Sequence, residues 1–111
     1  ILTVHTPLNQ STDRLFDLEV FKKMKDTSYF INCARGGLVV QSDLKSALQE
    51  NQIAGAAIDV FETEPCDDKE LLMLPNLVCT PHIGGSSSEA TLEMGRSAIS
   101  HLISFFSDFR N

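Results

Sequence analysis

The chain has 111 residues, 42% hydrophobic, 22% charged and 7% aromatic, the profile of an ordinary globular piece able to bury a modest core. Nine Lys and Arg stand against fifteen Asp and Glu, a formal charge of -6, and no basic stripe with interleaved aromatics occurs, so nucleic acid is not expected as a partner. Cys33, Cys66 and Cys79 are odd in number and show neither Cys-x-x-Cys nor Cys/His spacing, which argues against a disulfide framework or a metal site and fits a reducing cytoplasm.

No basic-then-apolar leader opens the chain and no apolar run reaches membrane-spanning length, so no membrane association is expected. The first residue, Ile1, already belongs to a strand-like run, and the chain is expected to start inside a larger gene product. Ile1 to His5 reads as a short buried strand closed by Thr6 and Pro7. A helix follows, in which Leu15, Leu18, Phe21 and Met24 recur at helical spacing with Asp17, Glu19, Lys22 and Lys23 between them. Tyr29 to Cys33 is a second strand, running into Gly36 and Gly37. Ser42 is the expected cap of the next helix, whose apolar face is Leu44, Ala47 and Leu48. Ala56 to Phe61 gives a third strand, followed by an acidic, proline-bearing loop over Glu62 to Asp68 and a short apolar segment. Leu77 to Cys79 is a fourth strand, stopped by Thr80 and Pro81. Ser86 and Glu89 read as a capping-box pair opening a long last helix, with Met94, Ala98, Leu102 and Phe105 or Phe106 along one face.

This alternation has the βαβ rhythm of an α/β fold with parallel strands and right-handed crossovers. Ligands of open α/β sheets bind just beyond the carboxyl ends of the strands. Each such end here carries polar chemistry: His5 and Thr6, then Cys33, Ala34 and Arg35, then Asp59 with Glu62 and Glu64, then His82. An Arg, a carboxylate and a His on one rim are able to bind an anionic substrate and move a proton. Taken singly, each has an ordinary alternative as a capping, loop or solvated residue. Joint placement is what points to a site.

The blocks HTPLNQST, INCARGGLV, AGAAIDVFETEP and TPHIGGSSSEA, in this order, closely resemble the D-isomer-specific 2-hydroxyacid dehydrogenase family, over about residues 1 to 106 and most like phosphoglycerate dehydrogenases. The resemblance implies the second half of a doubly wound parallel, Rossmann-like sheet over residues 1–85. Residues 86–111 would be a long return helix toward a separate substrate domain. It implies NAD as cofactor and, in the full-length protein, hydride transfer between NAD and a small D-2-hydroxy or 2-keto acid, 3-phosphoglycerate among the candidates. A homodimer is the implied assembly. In this family the position of Arg35 holds the substrate carboxylate and carbonyl, His82 is the proton donor in keto-acid reduction, and Glu64 pairs with that His. Glu62 is given no catalytic role, because the pairing carboxylate directly precedes Pro65. On the cofactor side the resemblance implies Thr6 near the adenosine portion, Cys33, Ala34 and Arg35 along the nicotinamide side, Asp59 at the ring or its carboxamide, and His82, Ile83, Gly84 and Gly85 closing over the ring.

Two features of the family pattern lie outside these residues: the G-x-G-x-x-G turn with its following acidic residue, which hold pyrophosphate and ribose, and most of the substrate domain. The isolated chain is therefore expected to be inactive. Two alternatives stand beside the enzyme, namely a non-catalytic NAD-sensing corepressor of the same superfamily that keeps the Arg, Glu and His, and an interaction module derived from the dehydrogenase.

Overall fold

The structure, a computed structural model, describes residues 1–108; the end of the segment expected over 86–111 lies outside them. Its elements in chain order are β1 (Leu2–Val4), α1 (Leu18–Lys23), β2 (Tyr29–Asn32), a 3-10 turn (Gly36–Leu38), α2 (Gln41–Gln49), β3 (Gly55–Ile58), α3 (Lys69–Leu72), β4 (Leu77–Cys79) and α4 (Ser88–Asp108). The four strands are parallel in the order β1-β2-β3-β4. With right-handed crossovers this sequential order puts the connecting helices on a single face of the sheet.

The register shows the division. Leu2, Phe30, Ala56 and Leu77 form one cross-strand row and Val4, Asn32, Ile58 and Cys79 another, both on the covered face. There Phe30 meets Phe21 of α1 edge to face at 5.2 Å between ring centroids, and Leu44, Ala47 and Leu48 of α2 are buried in the same core. Each such side chain contributes about 1.5–3 kcal/mol on burial. The row between them, Thr3, Ile31, Ala57 and Val78, points to the other face, where Thr3 and Val78 are exposed.

The strands are shorter than their apolar runs. β1 loses Ile1 and His5, β2 stops before Cys33, and β3 starts at Gly55 and stops before Asp59, because the chains diverge at the carboxyl edge to form loops. The expected first helix begins at Leu18, with the Asp17 carboxylate as cap accepting from the Val20 amide at 3.0 Å. Ser42 does not cap α2. The helix begins one residue earlier, and the Gln41 amide is taken by the Glu62 carboxylate at 3.0 Å, from the loop after β3. At its other end Asn51 takes φ 53, and the Gln52 amide returns to the Ala47 carbonyl at 2.9 Å, satisfying carbonyls the helix leaves free. The short apolar segment is α3, capped by Asp68 through the Leu71 amide.

The capping box at Ser86 and Glu89 is not formed. Ser87 takes the cap position instead, accepting from the Ala90 amide at 3.1 Å, and Glu89 interacts with the Ser87 side chain and its own amide. Along α4 every described side chain except Ala90 is exposed, so the expected stripe of Met94, Ala98, Leu102 and Phe106 exists as a helix face without being buried. No described helix is long and apolar enough to cross a membrane.

Candidate active site at the carboxyl edge

Among the described residues two buried polar side chains stand out, Asn32 (1% exposed) and Asp59 (4%). They end β2 and follow β3, joined where the Asp59 amide donates to the Asn32 carbonyl at 3.0 Å. Each organises a different loop.

Beyond β2, the Asn32 Oδ1 accepts from the Ala34 amide at 3.0 Å and its Nδ2 donates to the Arg35 carbonyl at 3.0 Å. Cys33 is exposed and Ala34 half-buried. Arg35 is extended, with φ -147 and ψ 140, and exposed; its guanidinium donates to the neighbouring Ala34 carbonyl at 2.6 Å. Gly36 follows because nothing larger fits: a Cβ there would stand 1.8 Å from the Phe61 carbonyl oxygen. Two backbones thus touch directly, one carrying Arg35 and the other leading to Glu64.

Beyond β3, the Asp59 carboxylate accepts three bonds. Oδ1 takes the Thr80 hydroxyl and the Ile83 amide (2.9 Å), and Oδ2 takes the Gly84 amide (2.8 Å). These donors, the Thr80 hydroxyl foremost, hold the Asp59 carboxyl below its usual range although burial pushes it up. The residue they enclose is His82, whose φ of 56 is a left-handed conformation that a side chain bearing Cβ adopts only when its surroundings fix it. In that conformation His82 Nδ1 lies 2.7 Å from Glu64 Oε2. The other carboxylate oxygen, Oε1, accepts from the Phe61 amide at 3.1 Å. His82 first, then this amide, draws the Glu64 carboxyl below its ordinary value.

The structure therefore joins Glu64 to His82, and Asp59 to the turn of Ile83 and Gly84. Among the described residues Arg35 forms no ion pair, and Thr6, half-buried after β1, makes no side-chain hydrogen bond to the others. Glu62 belongs to the α2 cap and lies 3.7 Å from Arg14, in keeping with a structural role. A cleft of about 400 Å³ beside Glu64, lined among others by Phe61, Pro65, Leu72 and Pro81, includes neither Arg35 nor His82. Sequence reasoning missed Asn32 and Thr80 as organisers. The available signal was an amide, poor in strand propensity, closing an otherwise apolar strand. Among the described residues no group of three or more His, Cys, Asp and Glu is placed to hold a metal ion.

Comparison with known proteins fits this geometry. The family described as D-isomer specific 2-hydroxyacid dehydrogenase, NAD binding domain, matches residues 1–84. The chain belongs to this family. The D-3-phosphoglycerate dehydrogenase of Bacillus subtilis is 42% identical over 105 residues, which is 95% of this chain and 20% of that protein. Among solved structures, the NADPH-dependent glyoxylate/hydroxypyruvate reductase of Sinorhizobium meliloti, in complex with NADP and malonate, superimposes with a TM-score of 0.88 at 34% identity, over 96% of this chain and 33% of that one. The NAD-complexed D-isomer specific 2-hydroxyacid dehydrogenase of Lactobacillus delbrueckii ssp. bulgaricus gives 0.79 at 31% identity, over 95% and 36%. The chain thus spans about a fifth to a third of the length of these relatives, and its parallel α/β sheet is Rossmann-like, as theirs are.

The chemistry of the described residues at this edge is compatible with a dinucleotide. Ile83 presents a half-exposed apolar side chain (53%), and beside it Gly85 has open space where a Cβ would stand, so a flat ring is able to approach the backbone closely. Asp59 Oδ2 accepts one bond where a carboxylate oxygen has room for two.

Proposed function

We propose that the full-length protein is an oxidoreductase passing hydride between NAD and a small D-2-hydroxy or 2-keto acid, and that this chain supplies its substrate clamp and its proton donor. The observation that carries the reading is the 2.7 Å pairing of His82 Nδ1 with Glu64. It commits one imidazole nitrogen to a carboxylate and leaves Nε2 for the substrate, the arrangement a proton donor needs. When bound, the nicotinamide supplies or accepts the hydride.

The chain's own residues do the remainder. Arg35, exposed and without an acidic partner, binds the carboxylate of the substrate through two parallel hydrogen bonds. His82 gives its Nε2 proton to the carbonyl oxygen during reduction and takes it back during oxidation. Glu64 steadies the charged imidazole. Asp59, by gripping the amides of Ile83 and Gly84, keeps His82 in reach, and the family resemblance assigns the cofactor side to Asp59 with Thr6, Cys33, Ala34 and Gly85. Support for this assignment comes from the family match together with the paired imidazole.

Steady-state reduction of a panel of 2-keto acids by the full-length protein with NADH tests it. Saturable turnover of at least one acid is expected. NADH binding without turnover of any would favour the sensor reading.

A further inference from the structure

The row Val4, Asn32, Ile58 and Cys79 crosses the helix-covered face of the sheet. In it a buried amide takes a place where its neighbours are apolar. Packing alone would favour a leucine or valine, because a buried amide costs stability unless both of its ends are bonded. Both ends are bonded, and to a single turn: Oδ1 to the Ala34 amide and Nδ2 to the Arg35 carbonyl, each at 3.0 Å.

We infer that Asn32 is a positioning residue for Arg35, fixing the direction in which the guanidinium leaves the sheet edge toward the substrate carboxylate. That role rests on Arg35 binding the substrate as proposed above. The chemistry selects asparagine closely. Aspartate offers acceptors alone and sets a charge against the Arg35 carbonyl, and leucine offers neither partner. On the far side of Arg35 the chain is fixed again, since Gly36 lies against the Phe61 carbonyl with no room for a Cβ. Arg35 is the residue held between these two anchors. Its backbone is bonded on both sides, so the side chain leaves the sheet edge from a fixed point and in a fixed initial direction, which favours two parallel bonds to an anion.

The test uses the full-length protein, NADH and whichever 2-keto acid it turns over fastest. Asn32→Asp should lower kcat/KM for the keto acid roughly tenfold, about the loss of one hydrogen bond in the substrate clamp, with a smaller change in the Kd for NADH. Combined with Arg35→Ala, it should add nothing to the loss caused by Arg35→Ala alone, because a residue acting through Arg35 has no effect once the guanidinium is gone. Losses that multiply in full, or that fall equally on NADH, overturn the positioning role. If instead Arg35→Ala leaves the keto-acid constants unchanged, the assignment of Arg35 is what fails, and the inference with it. Should Asn32→Asp not fold, amide exchange of the unaltered protein decides. The Ala34 amide, although in a rim turn, is expected to exchange roughly a hundredfold more slowly than in an unstructured peptide, and exchange at the free-peptide rate overturns the inference.

Discussion

The turn that carries Arg35 follows β2 and the turn that carries His82 follows β4, one on each side of β3, and they are held by different chemistry. A neutral amide, Asn32, and a backbone-to-backbone contact at Gly36 fix the first. A buried carboxylate, Asp59, fixes the second. The two bonds of Asn32 to the Arg35 turn involve no titrating group. Protonating Asp59 is expected to weaken the three bonds that hold the His82 turn. If Arg35 and His82 act as proposed, the amide that holds the anion-binding turn does not titrate, whereas proton handling depends on two carboxylates, Asp59 for geometry and Glu64 for charge.

Removing the imidazole tests the comparison most severely. His82→Ala in the full-length protein is expected to reduce keto-acid turnover roughly a hundred- to ten-thousandfold, the usual contribution of a positioned general acid, while Arg35 continues to bind the substrate. Turnover close to the parental rate would remove His82 from the role of proton donor. The same variant has a spectroscopic consequence. Without its imidazole partner, the depressed Glu64 carboxyl should titrate at higher pH, a change measurable by carbon NMR.

On the Arg35 side the largest effect on folding is expected from Gly36→Ala. A methyl group 1.8 Å from the Phe61 carbonyl oxygen meets backbone rather than a movable side chain, so the two loops must separate. A cost of about 3 kcal/mol is expected, the upper end of ordinary overpacking. Thermal or chemical denaturation measures it. A loss near zero would mean that the two loops are not held together at this point.

Arg35→Lys separates charge from geometry. Lysine keeps the positive charge but replaces a rigid fork by a flexible point charge. Losing one charge-assisted bond lowers kcat/KM for the keto acid roughly ten- to hundredfold, with NADH affinity little changed. Weaker NADH binding with intact keto-acid constants would make Arg35 a cofactor residue, and the anion clamp would lie elsewhere in the full-length protein.

Much of this arrangement was legible in the sequence, and the pattern of misses is physical. Periodicity located the four strands and the helices α1, α2 and α4, leaving α3 as a short apolar segment, and the loaded strand ends offered the polar residues among which the family resemblance points to Arg35, Asp59, Glu64 and His82. What periodicity does not carry is who satisfies a backbone group from a distance. Ser42 looked like a helix cap by spacing, but Glu62, twenty-one residues away from Gln41, does that work. Ser86 looked like the cap of α4 by the three-residue rule, and Ser87 took the place, three identical residues in a row giving the rule no means of choosing. Asn32 left one signal, an amide closing an apolar strand, but what it and Thr80 hold lies beyond the strand ends, where the course of the chain is not readable from the sequence. The apolar stripe of α4 was read correctly as a helix face, but whether a face is buried depends on what packs against it.

The finest test concerns Thr80, whose hydroxyl is the main donor holding the Asp59 carboxyl below its usual range. A carboxyl depressed by folding contributes stability that is fully present above its unfolded value and disappears as the pH falls through its lower, folded value. Thr80→Val keeps the shape of the side chain and removes the donor. The folded value of Asp59 then rises, so the variant is less stable at neutral pH, by roughly 1.5 kcal/mol for one hydrogen bond to a charged group. Its His82 turn also loosens earlier on acidification. Denaturation of both proteins across the acid range should show a gap that is widest near neutrality and closes once Asp59 is protonated in each, and Thr80→Ser, which retains a hydroxyl, should narrow that gap. A gap of constant size at every pH would show that Thr80 acts by packing. In that case the His82 turn would be held, like the Arg35 turn, without regard to charge, and the contrast between the two would vanish.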